Sequence, residues 1–253
     1  MPSAYRLSAA TGLHKGDRDY QQDQVALLSH PHAVGCVLAV LADGMGGRSG
    51  GRKASNQVMM TAKQLFDRYT PQFDDAEATL IQLVREAHTV IRLTAVSAEE
   101  EPHSTVAAFL IKPAGDCHWV HSGDSRVYHY FGDQLVKRTL DHSYVQTLIN
   151  QGQITEAQAA THPQSNILTG CLGSETDPPA PTHFIPQLRV GDILMACSDG
   201  IWHHFDSAEM GAILSGHSAR DACELLIDRA HTRSDGGSDN LSVVVVKVEA
   251  LGS

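Results

Sequence analysis

Five aspartates stand at the ends of apolar stretches. Asp43 closes the run Val34–Ala42 and is followed by Gly44-Met45-Gly46-Gly47, and Asp199 closes Asp192–Ser198 and is followed by Gly200. Asp124 lies in Gly123-Asp124-Ser125-Arg126 between two apolar segments, Asp239 lies in Ser238-Asp239-Asn240 directly before Leu241–Glu249, and Asp23 directly precedes Gln24–Ser29. A strand end is where a sheet can bring residues far apart in the chain to one edge. Carboxylates gathered there are desolvated and repel one another, and hard divalent cations relieve that repulsion. Oxygen-only donors suit Mg²⁺ or Mn²⁺ rather than zinc. Two such ions about 3.5–4 Å apart can hold a water, lower its pKa and aim it at a phosphorus or carbonyl centre. The glycines after Asp43 permit tight turns and leave a backbone carbonyl exposed. Any one of these motifs alone also reads as an ordinary turn, because Asp, Asn and Gly favour turns.

Other chemistries find less support. Cys223 and Arg229 have the Cys-x5-Arg spacing of a thiolate phosphatase, but the intervening Glu-Leu-Leu-Ile-Asp has no glycine and belongs to a predicted helix. A helix interior offers no free N–H groups to cradle an anion. The five cysteines are odd in number and form no CxxC pair, which argues against a disulfide framework or a zinc site and for a reducing compartment. His203-His204 and His30/His32 lack an HExxH context, so solvated or structural roles are expected for them, and core packing for Trp202.

Composition agrees. The chain has 253 residues, 42% apolar and 19% charged, with a net charge of -10. That is long enough for a substantial core. It is too acidic for nonspecific nucleic-acid binding, which depends on phosphate neutralisation. The N-terminal MPSAYRLSAATG has no apolar leader core, and no apolar run approaches the ~20 residues of a membrane span. The expectation is a cytoplasmic protein with neither a nucleic-acid nor a membrane partner.

The elements that must position the aspartates can be read from periodicity. Val34–Asp43, Ser104–Lys112, Cys117–Ser125, Arg126–Tyr130, Gln134–Thr139, Asp192–Ser198 and Leu241–Glu249 read as strands. Lys53–Tyr69 and Ala76–Val96 each carry one apolar helical face, expected to pack in the core. Short helices are predicted over Ser143–Asn150 and after Thr155, which forms a capping box with Gln158, and a longer one from Ser218 to Ala230. Residues 161–181, broken by four prolines, read as irregular. Strands in runs with helices grouped between them indicate α+β. No linker divides the chain, so residues 1–253 are expected to form a single catalytic domain, with a flap-like insertion around 143–181.

Taken in order, the motifs resemble the metal-dependent serine/threonine protein phosphatases of type 2C, in their compact bacterial branch. Gly16-Asp-Arg18-Asp-Tyr-Gln-Gln-Asp23, Leu41-Ala-Asp43-Gly-Met-Gly-Gly, Ser104-Thr105, Gly123-Asp124-Ser125-Arg126-Val-Tyr, Leu140-Asp141-His142-Ser143, His162-Pro163, Leu172-Gly173, Ser198-Asp199-Gly200 and Asp239-Asn240 follow the family's sequence of landmarks. The resemblance implies a four-layer α-β-β-α sandwich with two central, mainly antiparallel sheets flanked by helices. It implies two or three Mg²⁺ or Mn²⁺ ions. Asp43 would bridge two of them and Gly44 would lend its carbonyl. Asp23 would complete one site, Asp199 and Asp239 the other, and Asp124 would hold a weaker third ion. Arg18 would bind the substrate phosphate, although by itself it also reads as a surface partner of Asp17 or Asp19. The implied reaction is hydrolysis of phosphoserine and phosphothreonine in proteins by direct attack of a metal-bridging water, opposing a bacterial Ser/Thr kinase.

Four positions depart from the family pattern. Gln22 replaces a metal-binding Glu, Gln21 an Asn, Met45 a histidine proposed as general acid, and His103 a small residue. Met cannot donate a proton, so leaving-group protonation falls to a metal-bound water or an unidentified group. Two other readings stand beside this one: a two-metal phosphodiesterase or nuclease, and a non-catalytic binding module on the same fold.

Overall fold

The computed structural model describes residues 5–95 and 101–251. Val96 and the first four residues of the N-terminal stretch therefore lie outside the described residues. The elements run β1 (Tyr5–His14), β2 (Gln24–Ser29), β3 (Val37–Ala42), β4 (Gly44–Met45), α1 (Gly47–Phe66), α2 (Ala76–Ala95), β5 (His103–Ser104), β6 (Val106–Ile111), β7 (Cys117–Ser122), β8 (Arg126–Phe131) and β9 (Gln134–Arg138). They continue with α3 (Tyr144–Asn150), α4 (Glu156–Ala159), β10 (Thr182–Ile185), β11 (Asp192–Cys197), α5 (Asp199–Trp202), α6 (Ser207–Gly216), α7 (Ala219–Arg233) and β12 (Leu241–Ala250).

Two five-stranded sheets, ordered β1-β12-β11-β8-β9 and β10-β7-β6-β3-β2, are antiparallel throughout. Their inner strands are apolar without alternation because both faces are buried. In β12, Val243 and Val245 pack on Ala222, Cys223 and Leu226 of α7, whereas Val244, Val246 and Val248 face Leu41 and Phe109 of the other sheet. In β3, Leu38 and Val40 face α1 and α2, and Ala39 and Leu41 face the opposite sheet. The result is the expected four-layer α-β-β-α sandwich.

Differences from the sequence reading have local causes. Strand β1 went unread because it is a half-exposed edge strand with polar and glycine positions, yet it pairs along its full length, Tyr5↔Ala250 to His14↔Leu241. Helix α1 begins at Gly47, six residues before the predicted Lys53, from a left-handed Gly46 with φ 115°. Its glycines hide the periodicity, and contact with the Asp43-Gly44 turn selects them: a Cβ on Gly51 would meet the Gly44 oxygen at 2.5 Å. Thr155 and Ser218 cap α4 and α7 as predicted, and Ser143, the first residue of the helix predicted over Ser143–Asn150, is the cap of α3. The irregular segment is tied down by bridges Ser143↔Leu168 and Ser104↔Leu172. Cys223 lies buried inside α7 with its thiol pushed up to about 12 by desolvation, so it is no thiolate nucleophile.

Candidate active site

Strand register brings the five aspartates to one end of the sandwich. Gln24 pairs with Ala42, so Asp23 and Asp43 flank the same end of neighbouring strands. Asp199 follows β11 and Asp239 precedes β12, which are also neighbours, and the Ser198 N–H donates to the Ser242 carbonyl at 3.1 Å. Asp124 precedes β8, whose Arg126 pairs with Cys197 at the end of β11.

The electrostatics are those of crowded acids. Asp23 is 1% exposed, and neither carboxylate oxygen makes a hydrogen bond, although Ser242, Asp43 and Ser198 surround it. Burial first, then the Asp199 charge, raises its pKa to about 7. Desolvation and the charges of Asp23, Asp199 and Asp124 push Asp43 well above the usual carboxylate range. Asp124 is raised in the same way, by burial and by Asp199 and Asp141, and Asp199 to about 6 by burial and Asp239. An unpartnered, buried carboxylate beside two others is a poor arrangement for protons alone. It is an oxygen donor set that suits a hard divalent cation. Among the described residues no three His, Cys, Asp or Glu are drawn around one point as a preformed cage.

Backbone positions are held by side chains to which the sequence reading gave no such role. The Asp43 N–H donates to Thr105 Oγ1 at 3.0 Å, and that hydroxyl meets Ser125 Oγ at 2.7 Å, coupling the Asp43 turn to the loop of Asp124. The Trp202 indole N–H donates to the Asp124 carbonyl at 2.9 Å, while Arg126 lies 3.4 Å over its ring. Trp202 thus joins the helix that begins at Asp199 to the Asp124 loop, beyond the core packing expected of it. Gly44 meets Gly51, where a Cβ would come within 2.0 Å of the Gly51 oxygen.

The largest clasp is Asn240. Its Oδ1 accepts the Gln22 N–H at 2.7 Å, and its Nδ2 donates to the Lys15 and Tyr20 carbonyls at 2.8 and 3.0 Å. One amide therefore ties the segment bearing Arg18 and Asp23 to the strand after Asp239. Asn240→Ala leaves three backbone groups without these partners. At about 1–3 kcal/mol per unsatisfied buried group, discounted for their partial exposure, a loss of about 2–3 kcal/mol is expected. That corresponds to a fall of about 4–12 °C in melting temperature. An unchanged thermal transition would rule out the clasp.

Arg18 is exposed and reaches Asp239, Nη2 to Oδ2 at 2.7 Å. It pairs with neither Asp17 nor Asp19; Asp17 instead accepts the Ser238 N–H at 2.8 Å and contacts His231 at 3.3 Å. Of the departures, Gln22 points its amide at the Gly47 carbonyl, 2.7 Å away, at the start of α1. Gln21 accepts the Asp23 N–H at 2.9 Å. Met45 and His103 pair across β4 and β5. His203 lies 4.0 Å from Asp199, whereas His30 bonds the Tyr69 carbonyl at 2.9 Å.

Comparison with known proteins gives the chain's relatives in sequence and fold. Residues 13–242 match the family described as Protein phosphatase 2C. The chain is 34% identical over 222 residues to the serine/threonine protein phosphatase PstP of Mycobacterium tuberculosis, covering 85% of this chain but only 41% of that relative's length. It is 30% identical to the serine/threonine phosphatase stp of Listeria innocua, covering 83% of this chain and 84% of that one. The solved catalytic domain of PstP in complex with two manganese ions superposes with a TM-score of 0.81 at 28% identity, over 97% of this chain and 99% of that one.

Proposed function

Because the chain belongs to the protein phosphatase 2C family, we propose that it hydrolyses phosphoserine and phosphothreonine in proteins with the help of bound Mg²⁺ or Mn²⁺. The observation that carries this reading is the convergence of four carboxylates at one sandwich end, with both oxygens of buried Asp23 unpartnered. In this reading Asp43, facing Asp23, Asp199 and Asp124, would be shared between two ions, and Gly44 would lend its carbonyl. Asp23 would complete one site and Asp199 with Asp239 the other, and Asp124 would serve a weaker third ion together with Asp199. The ions supply Lewis-acid charge neutralisation and an activated water nucleophile.

The chain's own groups do the rest. Arg18 offers a planar fork suited to a phosphate monoester. Its exposed side chain is free to exchange Asp239 for a substrate oxygen, which neutralises charge on the phosphoryl group as it transfers. Thr105, Trp202 and Asn240 hold the carboxylate-bearing loops in register. Met45 carries no transferable proton and takes no part in protonating the leaving oxygen. The setting in this reading is a cytoplasmic signalling pathway in which the enzyme opposes a Ser/Thr kinase. Residues 143–181 form a flap-like insertion beside the site, within a single catalytic domain. Nucleic acid and membrane are not partners in it. The net charge of -10 speaks against the first, and no described helix is long and apolar enough to cross a membrane.

A phosphothreonine peptide and a phosphodiester, each incubated with Mn²⁺ and with excess chelator, test the proposal. Release of phosphate from the peptide alone, abolished by chelator, is expected. Turnover of the diester alone would replace the reading with a nuclease, and no turnover by folded, metal-loaded protein would replace it with a binding module.

A further inference from the structure

Beside the acid cluster lies a cleft of about 220 Å³ that shares Asp124 with it. Trp202 and Phe205 line it, together with Val145 and Ile149 of α3, Ala159 of α4 and Ala160 directly after it. Small-molecule sites occupy roughly 300–1,000 Å³, so this space is nearer to that of one side chain. Apart from Asp124, which belongs to the acid cluster, its charged Arg and acid side chains are paired with one another. Arg126 holds Asp141 through two hydrogen bonds of 2.7 Å, and Arg138 reaches Glu156 at 3.0 Å and the Thr139 carbonyl at 3.1 Å. Neither guanidinium is left to attract a second anion, Ser143 and Gln146 are hydrogen-bonded within α3 and its cap, and the aliphatic and aromatic lining of Val145, Ile149, Ala159, Ala160, Trp202 and Phe205 is what remains beside Ser165 and His203. The Trp202 ring cannot swing away, because Arg126 covers one face and its N–H is bound to Asp124.

From the shared Asp124, the paired charges and the apolar lining, we infer that this cleft is a subsite for an uncharged apolar side chain of the substrate, close in sequence to the phosphorylated residue. The inference rests on the phosphatase reading. A phosphoresidue at the acid cluster places its chain neighbours within a few extended residues, each spanning about 3.3–3.6 Å, over the cleft next to Asp124. The substrate class is therefore a phosphopolypeptide with an apolar residue such as leucine at one fixed flanking position.

The test is kcat/KM for phosphothreonine peptides carrying Leu, Ala, Lys or Asp at each flanking position in turn, with the full chain in Mn²⁺. At one position Leu is expected to exceed Ala and Asp by about tenfold, the scale of a modest apolar pocket contact. Ala160 lines the cleft from an exposed position, so Ala160→Trp should fold normally and remove the leucine preference. Ile149→Asp, on a half-buried position, should replace that preference with one for lysine. A flat profile at every position, or a leucine preference surviving in both variants, overturns the subsite while leaving the phosphatase reading intact. If no peptide is turned over at all, both fall together.

Discussion

Asp43→Asn is expected to lower turnover of a phosphothreonine peptide by at least about 10²–10³-fold, the cost of losing one preorganised electrostatic group. The metal-free protein should melt no lower, and in fact higher, than the parent. Both effects come from the same surroundings. Asp43 faces the carboxylates of Asp23, Asp199 and Asp124, and their charges together with desolvation hold its pKa far above normal. The amide keeps the shape and the backbone bond to Thr105 but removes one charge from the cluster. It therefore relieves repulsion and, in the proposed arrangement, deprives both ion sites of their shared ligand. Phosphate-release kinetics and thermal denaturation in chelator check the two halves. Near-normal turnover would remove Asp43 from the centre of the site, and a collapsed fold would show that its carboxylate is structural.

The second large effect is a coupling of pH, metal and stability. Asp23 is raised to about 7 and Asp199 to about 6, and Asp43 and Asp124 are raised as well. The native state therefore binds protons more tightly at these carboxyls than the unfolded chain does. Their stabilising contribution is complete below about pH 4 and is lost as pH rises through about 6 to 7. Divalent cations take the place of those protons, so the melting-temperature gain from Mn²⁺ should be small at pH 5 and large at pH 8. At a metal concentration 100 times its Kd the gain is about 2.7 kcal/mol, or about 5–11 °C for a chain of this size. Binding near pH 6.5 should release protons, which titration calorimetry in two buffers of different ionisation heat detects. A manganese shift equal at both pH values, without proton release, would separate the ions from these aspartates.

The positions of Asp43, Asp124, Asp199 and Asp239 could be read from the chain alone because the strands they flank are largely buried on both faces, whereas Asp23 precedes the half-buried edge strand β2. Strands buried on both faces appear as unbroken apolar runs, and a charged residue ending one is conspicuous. The caps Thr155 and Ser218 were legible for a similar reason: their partners lie within one helical turn. Edge strand β1 and the glycine-rich start of α1 were not, since their periodicity is supplied by neighbours rather than by their own side chains.

What the tertiary structure alone decided is who holds whom. Asn240 binds backbone groups of Lys15, Tyr20 and Gln22, more than two hundred residues away. Thr105 meets Ser125, and Trp202 reaches Asp124, from separate elements. Arg18 passes over two adjacent aspartates for Asp239, because Ser238 and His231 already engage Asp17 and the Asn240 clasp brings its loop to the start of β12. Local sequence encodes residue type and strand boundaries, since these follow from short-range propensity and burial pattern. The partners of a hydrogen bond or an ion pair across the chain are set by sheet register, which emerges only when the two sheets pack.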